Sequence, residues 1–333
     1  MQIRGLGELA ASEPRRVTRI IDWDRDAAGE TVSIFAVDRP FVFNAPSVIG
    51  LDTEAGFVAA AESSDYMIEV TVEGVLAGNS RDGIVSFDKV TPLPGEWAAV
   101  NGVWAGEFWH WICESVPRIV ALLDSGFTGR FILPPLAPYV RDTLRILGIP
   151  EERTISPRAG IFLVEKLYCT SRMNGYRMGA RTFERTRSRM APQLAAGPAS
   201  GRGTRLYIPR RVGGVVLNEE DLLRAITPFG FRTVYMEDLP LDEQIALASG
   251  ADAILGPHGG GTALAMFMPP RRLVIEIFSP EYINPVLTTT CRHLQSRYHM
   301  VPSHVIGRWD SGRDATAEIS DIVQILESWD SGA

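Results

Sequence analysis

Residues 253–268, AILGPHGGGTALAMFM, are the stretch around which this chain is organised. The apolar run 253–255 predicts a strand, and the run 263–268 predicts a helix of about two turns, which two prolines then end. Between them, Gly259, Gly260 and Gly261 have no Cβ atoms, so a ligand can approach the backbone closely. Free N–H groups at the start of the helix favour an anion, of which phosphate is the usual one. A tight turn that binds nothing is the alternative, because short glycine-rich matches are frequent.

The rest of the second half alternates strands with helices. Apolar runs predict strands at 205–208, 231–235, 273–278 and 298–301. Helices are predicted after an Asn218 cap, at 242–249, at 284–295 and in an apolar stripe that ends the chain. This order is typical of a doubly wound, Rossmann-like domain, which we place at 204–310, with a last helix at 314–330. Ligands bind such sheets at the carboxyl ends of strands, and both the glycine loop and Glu276 lie near such ends.

The first half is less regular. Residues 1–100 predict strands at 31–37, 66–72 and 83–87 and no helix. From residue 101 onward, strand, helix and strand follow one another at 130–133, 138–147 and 161–168, which predicts a parallel sheet. Residues 192–203, PQLAAGPASGRG, are rich in Gly and Pro and predict a linker. We therefore expect an N-terminal, acceptor-side domain at 1–195, β-rich over 1–100 and α/β over 101–195.

The composition is that of an acidic globular protein. Of 333 residues, 45% are hydrophobic and 22% are charged, and the formal net charge is −7. This balance argues against a mainly nucleic-acid-binding protein. Cys113, Cys169 and Cys291 are scattered, which favours a reducing compartment. The chain has no run of membrane-spanning length and no signal-peptide core, so we expect a cytoplasmic protein; peripheral contact with the inner face of the membrane stays open.

Residues 108–123, FWHWICESVPRIVALL, place one histidine among three aromatic residues. The aromatic residues form either a pocket wall or part of the core. In a pocket, His110 can act as a general base near neutral pH, and Glu114 follows one turn later. In a core, the same histidine would donate to a backbone carbonyl. Separately, Asp22 and Asp24 are spaced like a pair that holds a divalent metal, although a solvated turn is the preferred interpretation.

Taken together, these segments resemble the family 61 glycosyltransferases. The resemblance covers roughly residues 105–300, and residues 108–123 are similar to the family's His-Trp and Pro-Arg motif. The matching features of the second half are Tyr207 and Arg210 around a strand end, Asn218–Glu219, Gln244, His258–Gly259, the segment 267–270 (FMPP) and Glu276. Each piece is short, and their combination is what makes the resemblance specific.

The resemblance implies a GT-B-like α/β fold, in which two Rossmann-like domains face a cleft and the C-terminal one binds the nucleotide-sugar. It implies inverting transfer of a sugar to a glycan hydroxyl, with a UDP-sugar as the expected donor and no metal or other cofactor. The expected setting is bacterial surface polysaccharide biosynthesis. The expected partners are therefore the nucleotide-sugar and the glycan acceptor, and the sequence predicts no oligomeric state.

The donor site and the base follow from the same resemblance. A nucleoside diphosphate leaves during transfer, and fixed donors must stabilise its growing negative charge. Arginine suits this task because its fork binds phosphate bidentately, and an acidic residue can accept from ribose hydroxyls. For the base that takes the acceptor proton, His110 ranks before Glu114. The residues expected at the donor site are Arg210, Asn218, His258, Gly259, Gly260, Gly261, Thr262 and Glu276.

One departure from the family pattern keeps two other functions open. The family often has a second arginine shortly before the Asn-Glu pair, and residues 213–216, GGVV, fill that place here. A non-catalytic nucleotide- or glycan-binding protein is therefore one alternative. An esterase that uses His258 and its glycines as an oxyanion loop is the other. The esterase requires a later Gly-x-Ser-x-Gly elbow, which the sequence does not contain.

Overall fold

The computed structural model describes residues 2–43, 48–53, 56–60, 80–81, 84–85, 90–102, 104–157, 160–171, 173–192, 203–303 and 314–332. The chain divides into two compact units, residues 1–186 and 187–333. The division lies inside a helix, a few residues before the segment that the sequence predicts as a linker. Most of that segment, and the strand predicted at 66–72, lie outside the described residues.

The first unit is built around a mixed sheet. The strands of the unit are β1 (Gln2–Arg4), β2 (Val17–Arg25), β3 (Thr31–Asp38), β4 (Phe41–Phe43), β5 (Val48–Thr53), β6 (Gly56–Ala60), β7 (Ser80–Arg81), β8 (Ile84–Val85), β9 (Val90–Ala99), β10 (Arg130–Ile132), β11 (Thr154–Ile155) and β12 (Ile161–Thr170). Strands β7 and β8 form a separate two-stranded sheet, and the other strands form the mixed sheet. The helices are α1 (Leu6–Ser12), α2 (Phe108–His110, Trp111–Ser115 and Val116–Asp124), α3 (Pro138–Ile146) and α4 (Ala180–Met190), with short turns at Glu151–Arg153 and Gly175–Arg177.

The long strand β12 lies at the centre of this sheet. On one side it pairs in parallel with β9, which continues in parallel through β10 and β11. The connections β9–α2–β10 and β10–α3–β11 confirm the parallel β-α-β arrangement predicted after residue 101. On its other side, β12 pairs antiparallel with β3 and β4. The first unit therefore differs from a purely parallel Rossmann-like domain, because β3 and β4 run antiparallel to β12 and short connections pair β2 with β3 and β4 with β5 in the same way.

Helix α1 was not predicted from the sequence. It is only seven residues long, and its apolar face consists of Leu6 and Leu9, both fully buried in the core of the first unit. Two apolar side chains three residues apart show helical spacing only once, which is too little of a repeat to identify a helix from the sequence pattern. Packing against the sheet, rather than helix propensity, is what stabilises so short a segment.

The second unit contains a parallel sheet with helices between its strands. The strands are β13 (Thr204–Tyr207), β14 (Phe231–Thr233), β15 (Ala251–Pro257), β16 (Leu273–Phe278) and β17 (Arg297–Pro302). The helices are α5 (Glu219–Ile226), α6 (Leu241–Ser249), α7 (Thr288–Leu294) and α8 (Ile319–Ser331), and 3₁₀ turns lie at Thr227–Phe229, Met236–Asp238 and Gly260–Phe267. The predicted alternation of strands and helices is confirmed.

The order of the five strands is β14-β13-β15-β16-β17, and every neighbouring pair is parallel. Counted within the unit this is 2-1-3-4-5, an order of the doubly wound folds. Every residue of β16 is buried, as expected for a parallel strand with helices on both faces of the sheet. The order reverses between β13 and β15, so the carboxyl ends of these two strands form the edge where doubly wound sheets bind ligands.

In the described part of the chain, no helix combines the length and the apolar character needed to cross a bilayer.

Candidate functional site

The glycine loop and Arg210 lie together at the edge where the strand order of the second unit reverses. Arg210 follows the end of β13, and His258 follows the end of β15, its immediate neighbour. The guanidinium Nη1 of Arg210 donates to the backbone carbonyl of His258 at 3.1 Å. The structure therefore brings together two residues that the sequence predicted for the donor site, although 48 residues separate them.

The backbone of the loop presents N–H groups that have no acceptor within the described chain. A 3₁₀ helix runs from Gly260 to Phe267, wound more tightly than the α-helix that the sequence suggested. The N–H groups of Gly259, Gly260 and Gly261 precede its first internal bond, and no carbonyl of the described residues accepts from them. Unused amides beside an arginine provide the hydrogen-bond donors that an anion requires.

Two of the glycines are required by close contacts. A Cβ atom on Gly259 would lie 1.9 Å from Nη1 of Arg210, and one on Gly261 would lie 2.7 Å from Cγ2 of Ile208. Arg210 can therefore lie against the loop only because residue 259 has no side chain. This contact explains in physical terms why a glycine follows the histidine.

Glu276 does not occupy the position that the sequence predicted for it. It lies inside β16 with 0% of its surface exposed, beneath the loop rather than at the rim of the sheet. Its Oε1 lies 2.6 Å from the hydroxyl of Thr262 and 3.2 Å from Nδ1 of His258, and its Oε2 accepts from Tyr298 at 2.6 Å. These partners make Glu276 a positioning residue of the loop, and its contact with ribose hydroxyls stays a prediction.

The hydrogen bonds to Glu276 also fix the side chains of Tyr298 and Thr262. Burial, followed by the charge and the hydrogen bond of Glu276, raises the pKa of the Tyr298 phenol, so Tyr298 stays a hydrogen-bond donor. Thr262 is buried, and its hydroxyl also lies 2.8 Å from the carbonyl of Gly259. The hydroxyl of Thr262 is thus directed into the protein, so the side chain of this buried residue stabilises the loop.

His258 is held on three sides. Its ring stacks on Phe278 with centroids 4.8 Å apart, and Tyr282 lies 5.6 Å away on a tilted plane. With Nδ1 facing Glu276, Nε2 is the nitrogen left for a ligand. The side chain is 13% exposed, which leaves it reachable from the loop surface. Phe278, Tyr282 and Tyr298 were not predicted as site residues, because aromatic residues in and after an apolar strand give no distinctive signal.

Asn218 also has a role different from the predicted one. Its side chain makes no capping hydrogen bond to α5. Instead, Oδ1 accepts from the N–H of Ala317 at 2.7 Å, and Nδ2 donates to the carbonyl of the same residue at 3.0 Å. Asn218 therefore fastens the segment before α8 to the start of α5. This structural role replaces the cap expected from the sequence, whereas the nucleotide contact of Asn218 stays a prediction.

The segment that replaces the family's second arginine is a tight turn. Gly213 and Gly214 have φ values of 58° and 79°, a region that favours glycine. The N–H groups of Gly214 and Val215 donate to Asp314. Gln244, another matching residue, donates to the carbonyl of Leu239 at 2.8 Å and thus bridges backbone groups.

In the first unit, His110 and Glu114 form a hydrogen-bonded pair on α2. Nδ1 of His110 lies 3.0 Å from Oε2 of Glu114, and Glu114 is 2% exposed while His110 is partly exposed. Glu114 lies on a π-helical turn, Trp111–Ser115, that His110 immediately precedes, and Pro117, two residues after this turn, has no N–H to continue an α-helical pattern. Glu114 orients the histidine ring, so Nε2 of His110 is left to accept a proton. This arrangement agrees with the pocket interpretation of His110.

Arg118 does not pair with Glu114, although the two are one turn apart. Arg118 is buried and donates from Nη1 to the carbonyl of Val100 at 3.4 Å and from Nη2 to that of Met173 at 3.1 Å. It therefore joins the segment after β9 to the segment after β12. Spacing on one helix would allow a local pair with Glu114, whereas the observed partners of Arg118 depend on the long-range pairing of these strands.

The pair Asp22 and Asp24 is engaged within the protein. Asp22 accepts from the hydroxyl of Ser33 at 2.7 Å, and Asp24 accepts from the N–H and hydroxyl of Thr182 at the start of α4. Within the described ranges, no three His, Cys, Asp or Glu side chains come together as a metal-binding group. Asp24 acts as a cap for α4, which gives the pair a structural explanation.

Comparison with known proteins identifies the family. The sequence signature of the family described as Glycosyltransferase 61 matches residues 108–275, about half of the chain. The match includes His110 and Glu114 in the first unit and Arg210 and the glycine loop in the second.

Curated relatives carry related names. The chain is 28% identical over 149 residues to Protein O-linked-mannose beta-1,4-N-acetylglucosaminyltransferase 2 of Canis lupus familiaris, covering 40% of this chain and 26% of that protein. It is 29% identical over 133 residues to the protein of the same name from Takifugu rubripes, covering 35% and 22%. The chain thus spans about a quarter of the length of the curated relatives it matches.

The similarity of this chain to a solved structure is weak. A bacterial iron-containing dodecameric glycosyltransferase, TibC from enterotoxigenic E. coli H10407, aligns over 82% of this chain and 81% of its own at 12% identity, with a TM-score of 0.32. A score this low supports no structural argument, so the GT-B arrangement stays a prediction. The family match confirms the family predicted from the sequence, and the relatives carry glycosyltransferase names. The chain belongs to the glycosyltransferase 61 family.

Proposed function

We propose that this protein is an inverting glycosyltransferase that moves a sugar from a UDP-sugar to a hydroxyl group of a glycan. The observation that carries the proposal is the group of unused loop amides at Gly259, Gly260 and Gly261, beside Arg210, at the edge where the strand order reverses. Doubly wound sheets bind nucleotides at this edge, and amides with an arginine suit a diphosphate.

The chemistry requires stabilisation of a leaving group. As the bond between the anomeric carbon and the diphosphate oxygen breaks, negative charge grows on the diphosphate. Fixed N–H donors and a guanidinium stabilise this charge without reorganising during the reaction. The reaction is therefore proposed to need no metal ion or other cofactor. Glu276 contributes indirectly, because it holds Thr262 and His258 in place beneath the loop.

The acceptor must lose a proton as its oxygen attacks the anomeric carbon from the face opposite to the leaving group. We assign this proton to Nε2 of His110, with Glu114 holding Nδ1 and stabilising the imidazolium that forms. The product sugar has inverted configuration, because bond formation and bond breaking occur on opposite faces. The first unit would thus serve the acceptor and the second the donor, as in the GT-B arrangement implied by the sequence.

The proposed setting is synthesis of a bacterial surface polysaccharide in the cytoplasm or at the inner face of the membrane. The proposed partners are the UDP-sugar and a glycan, and no nucleic acid. These assignments rest on the family resemblance and on the acidic net charge of −7.

The test combines binding and turnover. Titration calorimetry should show that Arg210→Ala and His258→Ala weaken binding of UDP, while Arg211→Ala does not. Arg211 is the matched control, since it neighbours Arg210 in sequence but is exposed and paired with Asp238 at 2.6 Å. His110→Ala should leave UDP binding unchanged and slow transfer about a hundredfold or more.

Two results would contradict the proposal. Unchanged UDP affinity in both Arg210→Ala and His258→Ala would remove the donor site. Binding of UDP without transfer from any UDP-sugar to a glycan panel would instead favour the non-catalytic alternative.

A further inference from the structure

Two aromatic side chains that the sequence did not single out lie exposed beside His110. Trp104 is 47% exposed and Tyr176 is 36% exposed, which is unusual for residues of this size. The ring of Trp104 lies 6.4 Å from the ring of His110, and that of Tyr176 lies 5.1 Å from the ring of Trp109. Trp109 itself contacts His110 edge-on at 4.8 Å. The four rings form a contiguous cluster, in which Trp109 is buried, and we name it the aromatic wall: Trp104, His110, Trp109 and Tyr176.

Sheet topology explains why these residues meet. Trp104 and His110 follow β9, and Tyr176 follows β12, which pairs with β9 in parallel up to Ala98 and Tyr168. The carboxyl ends of neighbouring parallel strands open at the same edge of a sheet. Arg118 fastens the two following segments to each other through their carbonyls. The wall therefore lies at the edge where α/β sheets present their ligand sites.

The turn that carries Tyr176 is shaped to contact this wall. Asn174 accepts from the N–H of Tyr176 at 2.8 Å and so begins the turn Gly175–Arg177. A Cβ atom on Gly175 would lie 2.7 Å from Cη2 of Trp109. Only a glycine lets the turn approach the indole, and the approach positions the next ring. These contacts fix the position of Tyr176, although its side chain is exposed.

A buried polar atom next to the wall is left without a partner. Glu114 is 2% exposed, and its Oε2 holds His110, but its Oε1 has no hydrogen-bond partner among the described residues. An unpaired buried acceptor costs free energy, and such exceptions in native structures are commonly linked to function. The exposed aromatic faces thus lie beside a histidine whose carboxylate partner has one oxygen without a hydrogen bond among the described residues.

We propose that Trp104 and Tyr176 bind a pyranose ring of the acceptor glycan, and that this ring directs one of its hydroxyls to His110. A pyranose has a face of C–H groups and an edge of hydroxyls. The C–H face stacks on the negative face of an aromatic ring, while the hydroxyls reach the His110–Glu114 pair. The direction of the hydroxyl rests on the proposed function, whereas the binding of the ring does not.

The test uses ring substitutions and simple sugars. The full-length protein is titrated with the methyl glycosides of glucose, galactose, mannose, xylose and N-acetylglucosamine, and binding is followed by saturation-transfer NMR. Wild type is expected to bind at least one of them, with the strongest transfer to the C–H protons of one face. Trp104→Leu should weaken this binding about tenfold, whereas Trp104→Phe, which keeps an aromatic face, should stay within about threefold of wild type.

A kinetic measurement separates this inference from the proposed function. With a working donor and acceptor, Trp104→Leu and Tyr176→Leu should raise the acceptor KM about tenfold and leave UDP affinity unchanged. The inference is overturned if no methyl glycoside binds wild type, or if Leu and Phe at position 104 behave alike. Loss of UDP binding at the glycine loop with sugar binding intact would instead overturn only the proposed donor site.

Discussion

Gly259→Ala is the substitution whose effect the structure defines most sharply. The new Cβ atom would lie 1.9 Å from Nη1, 2.9 Å from Cζ and 3.3 Å from Cδ of Arg210. These atoms belong to the end of a flexible side chain, so Arg210 can swing away from the loop. It would then lose its bond to the carbonyl of His258 and its place beside the loop amides.

The expected effect falls on ligand binding and hardly on stability. Because only the end of one partly buried side chain moves, the free energy of unfolding should change by less than about 1 kcal/mol. A charge-assisted hydrogen bond contributes about 1.5–3 kcal/mol. Loss of the bond between Arg210 and the diphosphate should therefore weaken UDP binding about ten- to hundredfold.

A double-mutant cycle tests whether the effect passes through Arg210. UDP affinity is measured by calorimetry for wild type, Gly259→Ala, Arg210→Ala and the double variant, and thermal melts verify folding. If the new methyl acts by displacing Arg210, Gly259→Ala should cost less than about threefold in the Arg210→Ala background. Fully additive losses would refute the reasoning, because they would mean that the methyl group blocks the ligand directly or that Arg210 does not contact it.

Three further predictions concern the buried Glu276, the half-buried His299 and two buried cysteines. Glu276→Gln replaces one acceptor oxygen by a donor beneath the loop, so it should lower the free energy of unfolding by about 1–3 kcal/mol in urea titrations; an unchanged value would refute the network. Burial and the charge of Arg297 lower the pKa of His299, so the unfolded chain binds more protons below about pH 6.5 and stability falls as the pH drops from 7 to 5. His299→Gln should reduce this fall in the urea midpoint, and an unchanged slope would contradict the assignment. Burial, followed by the charge of Glu276, raises the pKa of Cys291 to about 12. Burial, followed by the charge of Glu114, also raises the pKa of Cys113. Neither thiol should therefore react with a thiol reagent at pH 8 until the protein is denatured.

The glycine loop and the fold around it were predictable because the signals are local. Apolar runs of strand length, glycines and helix patterns lie next to one another along the second half of the chain. The short connections between them allow few arrangements other than a parallel sheet. Arg210 and His258 could be placed together for the same reason, since both directly follow predicted strands and parallel strands end at one edge of the sheet.

The position of Glu276 could not be predicted, because its environment is set by long-range packing. A single charged residue in the apolar run LVIEIF is more often found near a strand end than in the core. Its partners come from two other segments of the chain: Thr262 and His258 from the glycine loop, and Tyr298 from β17. Asn218 was misplaced for a similar reason, because its partner Ala317 lies 99 residues away.

Trp104 and Tyr176 were missed because their proximity depends on strand pairing in a mixed sheet. The sequence predicts a strand at 161–168, but it does not show that this strand pairs directly with β9. Without knowledge of that pairing, the sequence does not show which side chains lie next to an aromatic residue in a turn, so it gives no reason to assign the residue to a site. His110 was singled out from the sequence instead, because aromatic residues lie densely around it, and its role in catalysis stays a prediction.

The most direct test of the account is a crystal structure of this protein with UDP bound. We predict that the diphosphate oxygens lie within hydrogen-bond distance of the N–H groups of residues 259–261 and of the guanidinium of Arg210. A complex in which this edge of the second unit is empty and UDP is bound elsewhere, for instance through a metal ion on Asp22 and Asp24, would contradict the account.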